Sequence, residues 1–276
     1  MGNLRAAGGR LMQSFAYGRP ETLGDAVAAL ALDPDATPLS GGQTLLPVLR
    51  ARLAAPTRLV DLGRLAELKG ITLSADGLDI GAGETHADMA GSAAVQAALP
   101  ALAKLAGGIG DPQVRNRGTI GGSIANNDPA ACYPSAALAL GAVIKTSRRS
   151  IPADAFFTGM FATALEAGEL VTGIRFPRCT QAAYVKFANP ASRFALIGVF
   201  AAKLAGETRI AITGGGAGVF RWGAAEAHVD AGGAVSGLAA VALDAGHFNG
   251  DIHASVAYRL QLARTITQRA LAALES

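Results

Sequence analysis

With 276 residues, half of them hydrophobic, the chain is long enough for one large domain or two ordinary ones, and it predicts a folded, soluble protein. The net charge of +3 is spread along the chain with no basic stripe interleaved with aromatics, which argues against nucleic acid as a partner. No apolar stretch reaches the ~18 to 20 residues of a membrane span; two cysteines, Cys132 and Cys179, are too few for an iron–sulfur cluster or a disulfide framework; and with no signal peptide the expected location is the cytoplasm.

Residues 1–14 are Gly-rich at first, lack periodicity, and are read as a disordered leader. Phe15 to Arg19 reads as a short strand, and Thr22 with Asp25 opens a helix whose buried face is Leu23, Ala26, Val27 and Leu30. Thr37 to Leu39 is a strand running into the turn Ser40-Gly41-Gly42-Gln43-Thr44, followed by a helix over Thr44 to Leu53 and a buried strand at Leu59 to Leu62. These make a β-α-β-α-β unit over residues ~15 to 62.

A second unit begins with a hairpin, Ile71 to Leu73 and Leu78 to Ile80, turned by Asp76-Gly77. Thr85 caps a helix ending near Gly91, Ala93 to Ala106 is helical with a break at Pro100, and residues 107–116 are irregular. A second double-glycine turn, Thr119-Ile120-Gly121-Gly122-Ser123, precedes a helix from about Pro134 to Leu140 and strands at Ala142 to Thr146 and Leu170 to Phe176. From Ala182 a third segment shows strands at Phe194 to Leu204 and Arg209 to Thr213, a helix near Ala224 to Val229, and a terminal helix from about Ser255 to Leu274. It is expected to form a separate α+β domain.

The two glycine turns stand out because each sits in a similar setting and carries hydroxyl residues. Glycine lets backbone approach a ligand closely and turn successive N–H groups toward one anion. The chain has no Gly-x-x-x-x-Gly-Lys-Ser/Thr, no Gly-x-Ser-x-Gly around Ser123, and four scattered histidines, His86, His228, His247 and His253, that share no metal-binding spacing. His86 is read as a residue of the helix start, and Thr213-Gly214-Gly215-Gly216-Ala217-Gly218, lacking dinucleotide spacing, as a flexible loop.

The stretch Ile109-Gly110-Asp111-Pro112-Gln113-Val114-Arg115-Asn116-Arg117-Gly118-Thr119-Ile120-Gly121-Gly122-Ser123-Ile124-Ala125-Asn126-Asn127-Asp128-Pro129-Ala130 closely resembles the FAD-binding medium subunit of molybdenum hydroxylases of the carbon monoxide dehydrogenase and xanthine dehydrogenase type. Ser40 to Pro47 is similar to that family's first flavin loop, and Asn189 to Ala195, His253 to Ser255 and Tyr258-Arg259 are similar to its C-terminal domain. The resemblance implies an α+β protein: a PCMH-type FAD-binding fold of two α/β subdomains, at about 15–69 and 70–178, plus a C-terminal α+β domain of small antiparallel sheet and helices at 179–276.

It further implies that Ser40, Gly41, Gly42, Gln43, Thr44 and Leu45, with Thr119, Ile120, Gly121, Gly122 and Ser123, cradle the pyrophosphate of non-covalent FAD. Ile109 is expected near the flavin, Leu170 near the adenine end, and Lys186 either at the flavin ring or as a plain surface lysine. Asp128, with Asn126 and Asn127, is either a helix cap or a cofactor contact. At Cys132 some relatives carry an aspartate that contacts the adenosine part; a thiol is a poor acceptor, so the ribose needs other partners.

By the same resemblance, the molybdenum cofactor and [2Fe-2S] clusters belong to a large and a small partner subunit, in a dimer of heterotrimers, and this chain relays electrons to an outside acceptor. A self-contained FAD oxidase and a non-redox nucleotide-binding scaffold remain open as alternatives.

Overall fold

The computed structural model describes residues 12–179 and 181–274. The leader expected at 1–14 lies almost wholly outside them. The chain opens as a three-stranded parallel sheet of order β1-β3-β2, formed by β1 (Ala16–Gly18), β2 (Thr37–Leu39) and β3 (Arg58–Asp61), with crossovers through α1 (Leu23–Leu32) and α2 (Leu45–Arg50). The Thr22 hydroxyl accepts from Asp25 N–H to start α1, and Ala26 and Leu30 bury against Val60, Leu62 and Leu68. α2 is shorter than predicted: Arg52, at φ 58, takes the left-handed conformation just past its end.

The hairpin of β4 (Ile71–Leu73) and β5 (Gly77–Gly81) forms as predicted and enters a five-stranded antiparallel sheet with β6 (Val143–Thr146), β7 (Ser150–Pro152) and β10 (Val171–Pro177), ordered β4-β5-β10-β6-β7. Leu78, Ile80, Ile144, Ile174 and Phe176 alternate onto one buried face, while Asp79, Lys145 and Arg175 meet on the other. The buried face is covered by α3 (His86–Gly91), α4 (Ala93–Ala98), α5 (Pro100–Gly107), α7 (Ile120–Asn126) and α8 (Tyr133–Ala139), with the single turn α6 (Pro112–Arg115) lying against α3.

The break at Pro100 falls where predicted. So does the cap at Thr85, which forms a capping box with Asp88. Thr85→Ala is expected to cost about 1 kcal/mol, read as a lowered urea midpoint with unchanged slope. Two features are absent from the sequence reading. α7 runs through the second glycine turn itself, capped by the Thr119 hydroxyl accepting from Gly122 N–H. Residues 150–163 hold β7, α9 (Ala153–Phe156) and the two short strands β8 (Phe157–Gly159) and β9 (Ala162–Thr163).

The last segment is a four-stranded antiparallel sheet of order β11-β12-β13-β14, from β11 (Gln181–Ala188), β12 (Ala195–Leu204), β13 (Glu207–Thr213) and β14 (Phe220–Arg221), with α10 (Gly223–Asp230) and the 17-residue α11 (Val256–Ala272). Ile197, Val199, Ala201, Ile210 and Ile212 pack on Ala263, Ile266, Ala270 and Leu271 of α11. The opposite face, with Tyr184, Phe200, Ala202 and Ala211, joins the core under α8. This two-sided burial explains the unbroken apolar run of β12.

The segment also bonds directly to the unit before it. Arg209 Nη2 donates to Leu138 O at 2.9 Å and to Asp154 at 2.7 Å, and the Thr213 hydroxyl bonds to the carbonyls of Pro129 and Ala131. The glycine run after β13 is likewise no free loop. Gly214 N–H donates to Pro129 O, Arg259 Nη1 donates to Gly214 O at 2.6 Å, and Asn249 N–H donates to Gly215 O.

Candidate functional site

The two glycine turns meet. The Ser40 and Thr119 hydroxyls lie 2.9 Å apart, and between the turns opens a cavity of about 590 Å³ that reaches from Thr37 and Leu170 at one end to Ile109, Cys132, Lys186 and Arg193 at the other. Of the residues predicted for the site, Ser40, Gly41, Gly42, Gln43, Thr44, Leu45, Ile109, Thr119, Gly121, Gly122, Ser123, Asp128, Leu170 and Lys186 all line it. Ile120 does not. Its side chain is fully buried in the core and its N–H donates to Glu84 O, because in the first turn of α7 that position points at the sheet.

The two turns differ in what they offer a ligand. In the first, the backbone N–H groups of Gly41, Gly42, Gln43, Thr44 and Leu45 donate to no protein acceptor among the described residues, and Gly42 at φ +73 bends the run back toward the cavity. In the second, the amides are committed: Ile120 to Glu84 O, Gly121 to Ala82 O, Gly122 to the Thr119 hydroxyl and Ser123 to Thr119 O. Backbone donors for an anion thus come from the first turn, and the second supplies the Ser123 hydroxyl and a rigid wall. The sequence reading gave both turns the same role.

Asp128 neither caps α8 nor points free: one carboxylate oxygen accepts from Ala130 N–H at 2.8 Å while the residue faces the cavity. Leu170 is buried between the parallel sheet and the cavity. Lys186 is not a plain surface lysine; its ammonium donates to Gly108 O at 2.7 Å and Arg193 O at 3.1 Å and lies 3.8 Å from Cys132 Sγ. Cys132 and Lys186 are thus neighbours on the cavity wall, and an extended dinucleotide would meet both with the same part of its length.

Sequence reasoning missed His86 as a cavity wall. Its backbone N–H donates to Gly118 O at 2.9 Å, its ring leans on Tyr133 with centroids 5.3 Å apart, and it is 95% shielded from solvent. Burial, with a lesser contribution from nearby Arg115, lowers its pKa to about 4. The unfolded chain takes up this proton below about pH 6.5 and the folded chain only near pH 4, so stability is full above pH 6.5 and declines as pH falls between the two. The loss is expected to reach about 3 kcal/mol at pH 4. Urea midpoints at pH 7 and pH 4.5 should differ by less in His86→Leu than in the parent chain.

Among the described residues, no group of three or more His, Cys, Asp or Glu is placed to hold a metal, and no helix is long and apolar enough to cross a membrane. The cavity instead suits an elongated anionic ligand: five lining residues whose amides have no protein acceptor among the described residues, apolar walls, and the cations Lys186 and Arg193. FAD has that form, with a diphosphate between two ring systems.

Comparison with known proteins agrees. The family described as FAD binding domain in molybdopterin dehydrogenase matches residues 13–179. The carbon monoxide dehydrogenase medium chain of Hydrogenophaga pseudoflava is 44% identical over 172 residues, 60% of each sequence, so the match spans under two thirds of that relative's length. The nicotine 6-hydroxylase medium subunit of Paenarthrobacter nicotinovorans is 33% identical over 274 residues, covering 94% of this chain and 97% of that one.

Among solved structures, carbon monoxide dehydrogenase from Hydrogenophaga pseudoflava superposes with a TM-score of 0.86 at 35% identity, covering 96% of this chain and 98% of that chain. Quinoline 2-oxidoreductase from Pseudomonas putida 86 gives a TM-score of 0.86 at 33% identity with the same coverage. The chain belongs to the family of FAD-binding domains of molybdopterin dehydrogenases.

Proposed function

We propose that this chain is the FAD-binding electron-transfer subunit of a cytoplasmic molybdenum hydroxylase. The observation that carries the reading is the cavity shared by the two glycine turns, lined by residues 41–45, whose five amides have no protein acceptor among the described residues. FAD bound there supplies reversible two-electron redox chemistry. Gly41 to Leu45 and the Ser123 hydroxyl would hold its diphosphate, Ile109 and Leu170 would bound its two ends, and Lys186 would stand beside the flavin ring.

The names of the relatives, medium chain and medium subunit, support placing the molybdenum cofactor on a larger partner and the [2Fe-2S] clusters on a smaller one. In this division of labour the substrate is oxidised on the large subunit, and electrons reach an outside acceptor through this chain. We further assign residues 15–69 and 70–178 to the two FAD-binding subdomains, 179–276 to the C-terminal domain, and the assembly to a dimer of heterotrimers.

Affinity purification of the tagged chain from its own host tests the assignment. A molybdenum-containing large chain and an iron–sulfur small chain are expected in stoichiometric amounts, with flavin absorbance bleaching when the complex turns over. A lone yellow chain reduced directly by its own substrate contradicts it and favours a self-contained oxidase.

A further inference from the structure

Around the Ile109–Gly110 end of the cavity three cations gather on backbone carbonyls, while the adjacent carboxylate, Asp111, is turned onto Val114 N–H. Lys186 Nζ is held by the carbonyls of Gly108 and Arg193; Arg193 Nη1 reaches Gly110 O at 3.3 Å; Arg115 Nη1 bonds both Ile109 O and Gly110 O at 3.0 Å. Every one of these partners is neutral, and none of the three cations forms an ion pair among the described residues. Asp128, the one carboxylate lining the cavity, is turned onto Ala130 N–H and lies beyond salt-bridge distance of Lys186.

The side chain in contact with Lys186 from the cavity wall is Cys132, 3.8 Å away and 5% exposed, with the buried Tyr184 ring as a neighbour. Burial pushes the thiol's pKa up, against a smaller opposing pull from Lys186, so the sulfur stays protonated and neutral.

We infer that Cys132 tunes the redox cofactor: a neutral side chain at this point leaves Lys186 without a counter-ion, and the cavity end stabilises the negative charge the flavin gains on reduction. The inference rests on the FAD reading proposed above. Two-electron reduction with uptake of one proton adds one negative charge to the flavin, and an uncompensated cation in a partly desolvated wall favours that form over the oxidised one. A carboxylate at position 132 would lie within reach of the ammonium and cancel it.

The test uses the full chain loaded with FAD and reads its midpoint potential by equilibration with a reference dye. C132D is expected to lose at least tenfold of the preference for reduced over oxidised FAD, about 30 mV to the negative for a two-electron couple. K186M should shift the same way, C132D should add little on top of K186M, and C132S should stay within threefold of the parent. An unchanged potential in FAD-loaded C132D overturns the inference, as does a C132S shift equal to that of C132D. Either result leaves the FAD reading standing, whereas a parent chain that takes up no FAD sinks that reading itself.

Discussion

Gly121→Ala is expected to destabilise the chain by about 3 kcal/mol and to abolish cofactor binding with it. A Cβ at Gly121 would stand 2.4 Å from Ala82 Cβ, 2.7 Å from Ala82 O and 2.9 Å from Ala82 Cα. All three belong to backbone or to the first carbon beyond it, so no flexible side-chain end can swing away. Nor can the two segments separate cheaply, because Gly121 N–H donates to Ala82 O at 2.9 Å and the neighbouring Ile120 N–H donates to Glu84 O. Overpacking of a tight core costs about 1 to 3 kcal/mol, and a backbone-to-backbone clash belongs at the upper end. The displaced α7 would carry Thr119 away from Ser40 and open the cavity between the turns. Gly91→Ala is the contrast, since nothing lies within 4 Å of its Cβ. There the helix gains propensity, and a change within about 1 kcal/mol, toward stability, is expected. Thermal unfolding of both variants, with FAD uptake measured at a temperature where each is folded, checks the pair.

Arg259→Leu should be comparably severe, at about 3 to 5 kcal/mol. The guanidinium is 5% exposed inside the C-terminal sheet, and its fork donates to Leu196 O at 3.1 Å, Gly214 O at 2.6 Å and Asp251 Oδ2 at 2.6 Å. Its removal leaves two buried carbonyls without their donor and takes the cation from the half-exposed Asp251 carboxylate. Arg259→Lys should recover little, because an ammonium on a flexible stem cannot span three acceptors in a plane. Asp251→Asn should be milder: the carboxylate side chain is 47% exposed, and it retains an acceptor for His253 N–H and Ala254 N–H. Urea unfolding of the three variants orders them. Equal losses for Arg259→Leu and Asp251→Asn would show that the carbonyl contacts carry no weight.

Arg259 also marks where local reading of the sequence stops. The helical spacing of Ala263, Ile266, Ala270 and Leu271 is a strong local signal, and α11 forms with that face buried. Arg259 lies on the same face, yet nothing in the spacing says that two carbonyls from residues 45 and 63 positions away converge on it. The Asp76-Gly77 hairpin, the cap at Thr85 and the break at Pro100 were legible because each depends on a few adjacent residues. The strands of 150–163, two or three residues each, are too short to show a period.

At the site, chemistry was legible and geometry was not. Consecutive glycines mark both turns, but they look alike in one dimension. Only the fold shows that Gly121 is needed for packing on Ala82 while Gly41 to Leu45 keep their amides free. The Lys186–Cys132 contact spans 54 residues and joins a strand of the last sheet to the start of α8. Such a long-range pairing leaves no local trace.

Acid treatment of the purified chain, with the released flavin quantified, tests FAD binding directly. About one FAD per chain is expected, freed by acid without proteolysis and restored when the apoprotein is mixed with FAD at neutral pH. A folded, colourless chain that takes up no FAD at micromolar concentration would contradict it.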